Sequence, residues 1–83
     1  MSQRLEECFV HLNDEESAAE CVHCLKKHGE TVIFSDKLGR LALGREMWDD
    51  SHAKDMESVS EILGITDRKT YEEADRKYNL TMY

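Results

Sequence analysis

The stretch NDEESAAECVHCLKKHG, residues 13–29, decides how the rest of the chain is arranged. Asn13 is a common helix-capping residue, and Glu16 three positions later completes a capping-box pattern. Small and apolar side chains then recur at about 100° per residue, which places them on one helix face. Basic residues fill the last turn, and Gly29 favours a left-handed stop. The stretch therefore predicts a helix from about Asp14 to His28.

Extended segments are predicted on both sides of this helix. Cys8, Val10 and Leu12 alternate with the intervening residues, which is typical of a strand and predicts one over Glu6–Leu12. After the helix, the sequence predicts strands at Thr31–Ser35 and Arg40–Leu43. The four residues between these strands include a glycine, so we expect a hairpin loop there.

Two further helices complete the predicted domain, which spans residues 1–83. The first begins at Asp49 or Ser51 and ends at Leu63, and Thr66 is expected to cap the second, Asp67–Tyr78. The order is β-α-β-β-α-α. It indicates an α+β fold, a single small domain with a mostly antiparallel three-stranded sheet and helices packed on one face.

Composition excludes several classes of protein. The 83 residues include 11 Lys and Arg against 18 Asp and Glu, a net charge of −7. An excess of carboxylates repels phosphates, so direct nucleic-acid binding is not expected. No apolar run approaches the roughly 20 residues that cross a bilayer, and no signal-peptide pattern begins the chain. We therefore expect a cytoplasmic protein without a membrane partner.

The negative charge is concentrated in two segments. Residues 6–20 carry six acids without a Lys or Arg, and residues 46–61 carry six acids and one Lys. By contrast, acids and bases balance over residues 62–83. Two interpretations remain open: the acids are solvated surface that aids solubility, or they form a surface for a basic partner.

The partner interpretation predicts a set of binding residues. Trp48 is the expected aromatic anchor, because tryptophan is enriched where binding energy is concentrated. The acidic residues chosen first are Asp49, Asp50, Glu57 and Glu61, followed by Glu16 and Glu20. The apolar tail Leu80–Tyr83 adds the expectation of a homodimer.

These features predict a small, acidic, non-enzymatic protein-interaction module. No phosphate-binding loop, nucleophile motif or paired metal-carboxylate motif occurs, so we predict no catalytic residue and no cofactor. The most specific hypothesis is an inhibitor or nucleic-acid mimic that offers carboxylates to a basic, nucleic-acid-binding protein. Phage-encoded inhibitors that take over host factors, including anti-CRISPR proteins, commonly have this profile, which is an analogy of type.

Two alternatives belong to other classes of function. A zinc-stabilised adaptor would use Cys8, Cys21, Cys24 and His28, whose side chains suit tetrahedral zinc. The simpler expectation for the three cysteines is reduced thiols packed in the core. A helix-turn-helix transcription regulator would use the last two helices, although acids on the second of them oppose contact with DNA.

Overall fold

The computed structural model describes residues 5–9, 12–43 and 50–81. Within these ranges the chain forms an α+β fold of three α-helices, a short 3₁₀ helix and a two-stranded antiparallel sheet. The elements in chain order are the 3₁₀ helix Leu5–Phe9, α1 Glu15–Lys27, β1 Val32–Ser35, β2 Arg40–Leu43, α2 Asp50–Leu63 and α3 Arg68–Tyr78. No helix in the described ranges is long and apolar enough to cross a membrane.

Helix α1 begins with a capping box that differs from the predicted one. The Asp14 carboxylate accepts the Ser17 N–H at 2.9 Å, and the Ser17 hydroxyl accepts the Asp14 N–H at 3.1 Å. The cap is thus Asp14, not Asn13, and its partner is Ser17, not Glu16. Both short side chains reach the free backbone N–H groups of the first turn. The predicted stop is confirmed, since Gly29 has φ +88°.

Helix α1 is the central element of the described fold. It packs against the 3₁₀ helix, β1 and α2. Its buried face consists of Ala18, Ala19, Cys21, Val22 and Leu25. Two alanines in this face let neighbouring backbones approach closely, so a short chain can fill its core with few large side chains.

The predicted strand over Glu6–Leu12 is wrong in its described part. Residues 5–9 form a 3₁₀ helix, Leu12 lies in a loop, and Val10 and His11 lie outside the described residues. Cys8 is buried and packs in the core cluster with α1. Alternation over seven residues is a weak signal, and here the tertiary contact of Cys8 overrides it. The described sheet therefore has two strands, where three were predicted.

The predicted hairpin is confirmed. Phe34 pairs with Leu41 in an antiparallel register, and residues 36–39 form the loop. Gly39 has φ +66°, and an added Cβ would lie 3.0 Å from the Thr66 carbonyl oxygen. A larger residue would therefore be strained in its backbone and would crowd the loop before α3.

A buried serine attaches α2 to the outer edge of the hairpin. The Ser60 hydroxyl accepts the Leu41 N–H at 2.8 Å and donates to the Met56 carbonyl oxygen at 3.0 Å. Only 2 % of Ser60 is exposed. The hydroxyl thus satisfies a strand-edge N–H that faces a helix side chain and not another strand.

Helix α3 also begins with a capping box, and its cap lies one residue later than predicted. Asp67, not Thr66, is the cap, and its carboxylate accepts the Thr70 N–H at 2.9 Å. Asn79 ends the helix in the left-handed region, with φ 57°. The pattern Asp-x-x-Ser/Thr thus starts both α1 and α3.

The described part of the C-terminal tail is docked. Leu80 is fully buried, and the Thr81 N–H donates to the Asp75 carboxylate at 2.6 Å. Leu80 is therefore occupied within the chain and is not available for the expected homodimer contact. Met82 and Tyr83 lie outside the described residues.

We predict that Ser60→Ala lowers the free energy of unfolding by about 1–3 kcal/mol, because it leaves the buried Leu41 N–H without its acceptor. Urea unfolding followed by circular dichroism measures this. Ser58→Ala is the matched control, since Ser58 is exposed on the same helix. We expect the control to stay within about 0.5 kcal/mol of the wild type. Equal effects of the two substitutions would contradict the role given to Ser60.

The two capping carboxylates predict a defined acid dependence. The backbone N–H of Ser17 lowers the pKa of Asp14, and that of Thr70 lowers the pKa of Asp67. Their stabilisation is therefore complete above the unfolded-state pKa near 3.9 and is lost as pH falls through the folded-state pKa.

The double substitution Asp14→Asn with Asp67→Asn keeps both cap acceptors but removes their charge. We expect it to be less stable than the wild type near pH 6, with the difference shrinking as pH falls through the lowered folded-state pKa values, measured by thermal unfolding across pH. Glu73→Gln, an exposed acid within α3, is the control. A stability difference that persists unchanged at acid pH would contradict this account.

Candidate functional site

The structure describes four of the seven predicted partner-binding side chains. Trp48 and Asp49 lie outside the described residues, and Asp50 begins α2 with a side chain that is not described. The four described residues are all exposed: Glu16, Glu20, Glu57 and Glu61. They occupy two helices, α1 and α2.

The exposed stripe of α2 is less acidic than its sequence indicates. A guanidinium from the hairpin reaches it, with Arg40 Nη1 at 3.0 Å from Glu57 Oε2. The Glu57 side chain remains 50 % exposed and that of Arg40 25 %. Lys54 is exposed on the same stripe as Glu57 and Glu61. Two bases therefore stand beside two acids, and the described part of this stripe is close to neutral.

The N-terminal half of α1 keeps its negative charge. We call its exposed carboxylates the α1 acidic face, and its members are Asp14, Glu15, Glu16 and Glu20. Hydrogen bonding to Tyr78 and the charge of Tyr78 raise the pKa of Lys77 in α3, and the charge of Glu15 adds a smaller contribution. The densest described acidic surface is thus on α1.

An open groove separates the hairpin loop from α2. Its volume is about 250 Å³. The lining residues are Leu38, Gly39, Arg40, Glu57, Ser60, Glu61, Ile65 and Thr66. Ser60 already uses its hydroxyl proton in the bond to Met56, so it is not an activated nucleophile. The groove combines a partly exposed ion pair with an apolar rim, which suits binding better than catalysis.

Three of the four predicted zinc ligands lie together, and two of them are bonded. Cys8 and Cys24 form a disulfide with a Cα–Cα distance of 5.7 Å. A ring nitrogen of His28 lies within 4.8 Å of both sulfur atoms. The expectation of three reduced thiols is therefore wrong for Cys8 and Cys24. Cys8 lies in the 3₁₀ helix, which places its side chain against α1. The predicted strand did not imply this contact.

Cys21 does not belong to this cluster. It is the free cysteine, 98 % of its surface is covered, and it faces the core. Burial, with a smaller contribution from the charge of Asp55, raises the pKa of its thiol to about 12. The Cys21-x-x-Cys24 pattern therefore pairs an inert thiol with a cysteine bonded elsewhere, and it does not form a redox dithiol.

Two histidines connect elements of the fold. His23 Nε2 lies 3.1 Å from the Asn79 carbonyl oxygen, which joins α1 to the end of α3. The His52 ring stands 5.6 Å from the Phe9 ring, which joins α2 to the 3₁₀ helix. Both contacts join elements of the fold. Neither could be predicted from the sequence, because the residues in each contact are far apart along the chain.

Comparison of the chain with protein-family models, with curated proteins and with solved structures finds no match. Function is therefore inferred from the charges, contacts and burial of the described residues. Two features of the described residues are candidates for binding another molecule. One is the α1 acidic face, and the other is the cluster of Cys8, Cys24 and His28 at the opposite end of the same helix.

We predict that Cys21 resists alkylation in the folded protein, because its thiol is buried and its pKa is raised to about 12. Oxidised protein incubated with iodoacetamide near pH 8 should gain no adduct by intact mass spectrometry. Addition of denaturant should produce one adduct, at Cys21. Rapid modification of the native protein would contradict the burial of this thiol.

Proposed function

We propose that the chain is a small, non-enzymatic interaction protein that presents carboxylates to a basic surface of a nucleic-acid-binding protein. The α1 acidic face carries this proposal. Glu16 and Glu20 project from the side of α1 opposite its buried residues, and Asp14 and Glu15 are exposed where the helix begins. The core holds the backbone that carries these side chains, so little backbone entropy is lost on binding.

Two of these carboxylates are placed to meet a phosphate-binding groove. Glu16 and Glu20 are exposed one turn apart, on the side of α1 opposite its buried residues. A groove that binds phosphates through Lys and Arg would therefore meet two negative charges on one side of the helix.

The α2 stripe has a lesser part in this proposal. Arg40 offsets the charge of Glu57, which lowers the negative charge of the stripe. Glu16 and Glu20 were the second choice from the sequence. We now expect them to contribute more to partner binding than Glu57 and Glu61. Trp48, Asp49 and Asp50 stay predictions, since their side chains lie outside the described residues.

The environment of the titratable groups supports a non-enzymatic role. The Cys21 thiol is inert, the Ser60 proton is engaged, and His23 joins two helices. A general base or nucleophile needs a neighbour that activates it within reach of a bound substrate. The helix-turn-helix alternative is less favoured, because Glu72 and Glu73 are exposed on α3.

The test is affinity capture by the immobilised protein from a lysate of the source organism, at low salt. We expect the captured proteins to be nucleic-acid-binding, to be released by duplex DNA or RNA, and to be released by added salt, which screens the charges. Capture that nucleic acid does not compete with would contradict mimicry.

Charge-reversal variants test whether the α1 acidic face binds the partner. Glu16→Lys with Glu20→Lys should weaken partner binding by on the order of tenfold or more, mainly through a slower association rate. Glu72→Lys with Glu73→Lys is the matched control, a pair of exposed acids on α3. Circular dichroism verifies that both variants stay folded. Equal losses from the two pairs would overturn the assignment of the α1 acidic face.

A further inference from the structure

We propose that Cys8, Cys24 and His28 form a zinc site in the reduced protein, and that the Cys8–Cys24 disulfide prevents zinc from binding in the oxidised protein. Two thiolates and an imidazole are ligands that zinc prefers. The oxidation state of the cysteine pair would therefore select between a metal-bound and a metal-free form. This inference is independent of the function proposed for the α1 acidic face.

The distances between the ligand atoms fit this site. Both sulfur atoms and a His28 nitrogen lie within 4.8 Å of one another. Tetrahedral zinc, with bonds of about 2.3 Å to sulfur and 2.0–2.1 Å to nitrogen, separates two sulfurs by about 3.8 Å and sulfur from nitrogen by about 3.6 Å. Once the disulfide is reduced, side-chain rotations that bring the ligand atoms to these separations place three ligands around one ion.

The backbone already holds the ligands in place. Cys24 and His28 are four residues apart at the end of α1, so they lie on one side of the helix one turn apart. The His28 N–H donates to the Cys24 carbonyl oxygen at 3.1 Å, which fixes their spacing. The 3₁₀ helix brings Cys8 from the other side. Zinc binding needs no rearrangement of the fold.

The fourth coordination position is left for water or for a donor atom of a partner. Cys21 is excluded as that ligand, because it is buried in the core and lies outside the cluster. A site with three protein ligands and one open position is typical of zinc that exchanges its fourth ligand. The predicted set of four ligands is therefore reduced to three.

A thiol or a phosphine can reduce the Cys8–Cys24 disulfide. Two electrons and two protons convert the Cys8–Cys24 disulfide into two thiols, and the reductant becomes its disulfide or its phosphine oxide. Zinc then replaces the two thiol protons, which are released to solvent. Oxidation by a disulfide or peroxide reverses the sequence: it forms the sulfur–sulfur bond and expels zinc.

Anaerobic titration with Co²⁺ tests the site. The protein is reduced with a phosphine, which is then removed, and is compared with the oxidised protein. We expect one cobalt per reduced chain, with thiolate-to-cobalt charge transfer and the intense visible bands of a tetrahedral site, and displacement by zinc. The oxidised protein should show neither signal. Absence of binding by the reduced protein, or equal binding by the oxidised one, would overturn the proposal.

Variants identify the ligands. His28→Gln should weaken cobalt binding at least tenfold, whereas His23→Gln, on the same helix but outside the cluster, should not. Cys21→Ala should bind as the wild type does. The zinc-bound reduced protein should have the helical circular dichroism of the oxidised form. Unchanged binding by His28→Gln, loss of binding by Cys21→Ala, or zinc bound to an unfolded chain would each refute the three-ligand site.

Discussion

The Cys8–Cys24 disulfide holds the N-terminal 3₁₀ helix against α1, and the arrangement of the two candidate surfaces depends on it. The bond closes a loop of 16 residues, which in the chain-entropy model stabilises a protein by about 3 kcal/mol. That is a large share of the 5–15 kcal/mol typical of a domain. Its loop contains Asp14, Glu15, Glu16 and Glu20, so the same bond restricts the segment that presents the acidic face.

Folding redistributes the charge that the sequence shows segment by segment. Arg40 belongs to the basic middle of the chain and Glu57 to an acidic segment, yet β2 and α2 bring them to 3.0 Å. An exposed pair of this kind adds little stability, but it changes which surface is most acidic. The α1 acidic face remains because the basic residues of α1 occupy its last turn.

Much of the fold could be predicted from local signals. The helices, the hairpin and the left-handed stop at Gly29 follow from periodicity and turn chemistry, and the structure confirms them. Both caps were misplaced by one residue, because Asp14 caps α1 where Asn13 was predicted, and Asp67 caps α3 where Thr66 was predicted. In the α1 box the short Ser17 hydroxyl does what the longer Glu16 carboxylate was expected to do.

The errors that matter for function come from contacts between distant residues. Alternation suggested that Cys8 lies in a strand, whereas its position is set by Cys24 on α1, and no local pattern encodes that pairing. For the same reason the sequence could not divide the three thiols into a bonded pair and a buried one. It did identify Cys8, Cys24 and His28 as candidate ligands, because residue type is visible without the fold.

The ¹³Cβ chemical shifts of the three cysteines test this account most directly, because they distinguish disulfide, free-thiol and zinc-bound sulfur at each residue. We predict disulfide values for Cys8 and Cys24 in the oxidised protein. In the reduced protein with zinc, both should move to zinc-thiolate values. Cys21 should keep its free-thiol value in both states. A disulfide or zinc-thiolate shift at Cys21, or unchanged shifts at Cys8 and Cys24, would contradict the arrangement of this cluster.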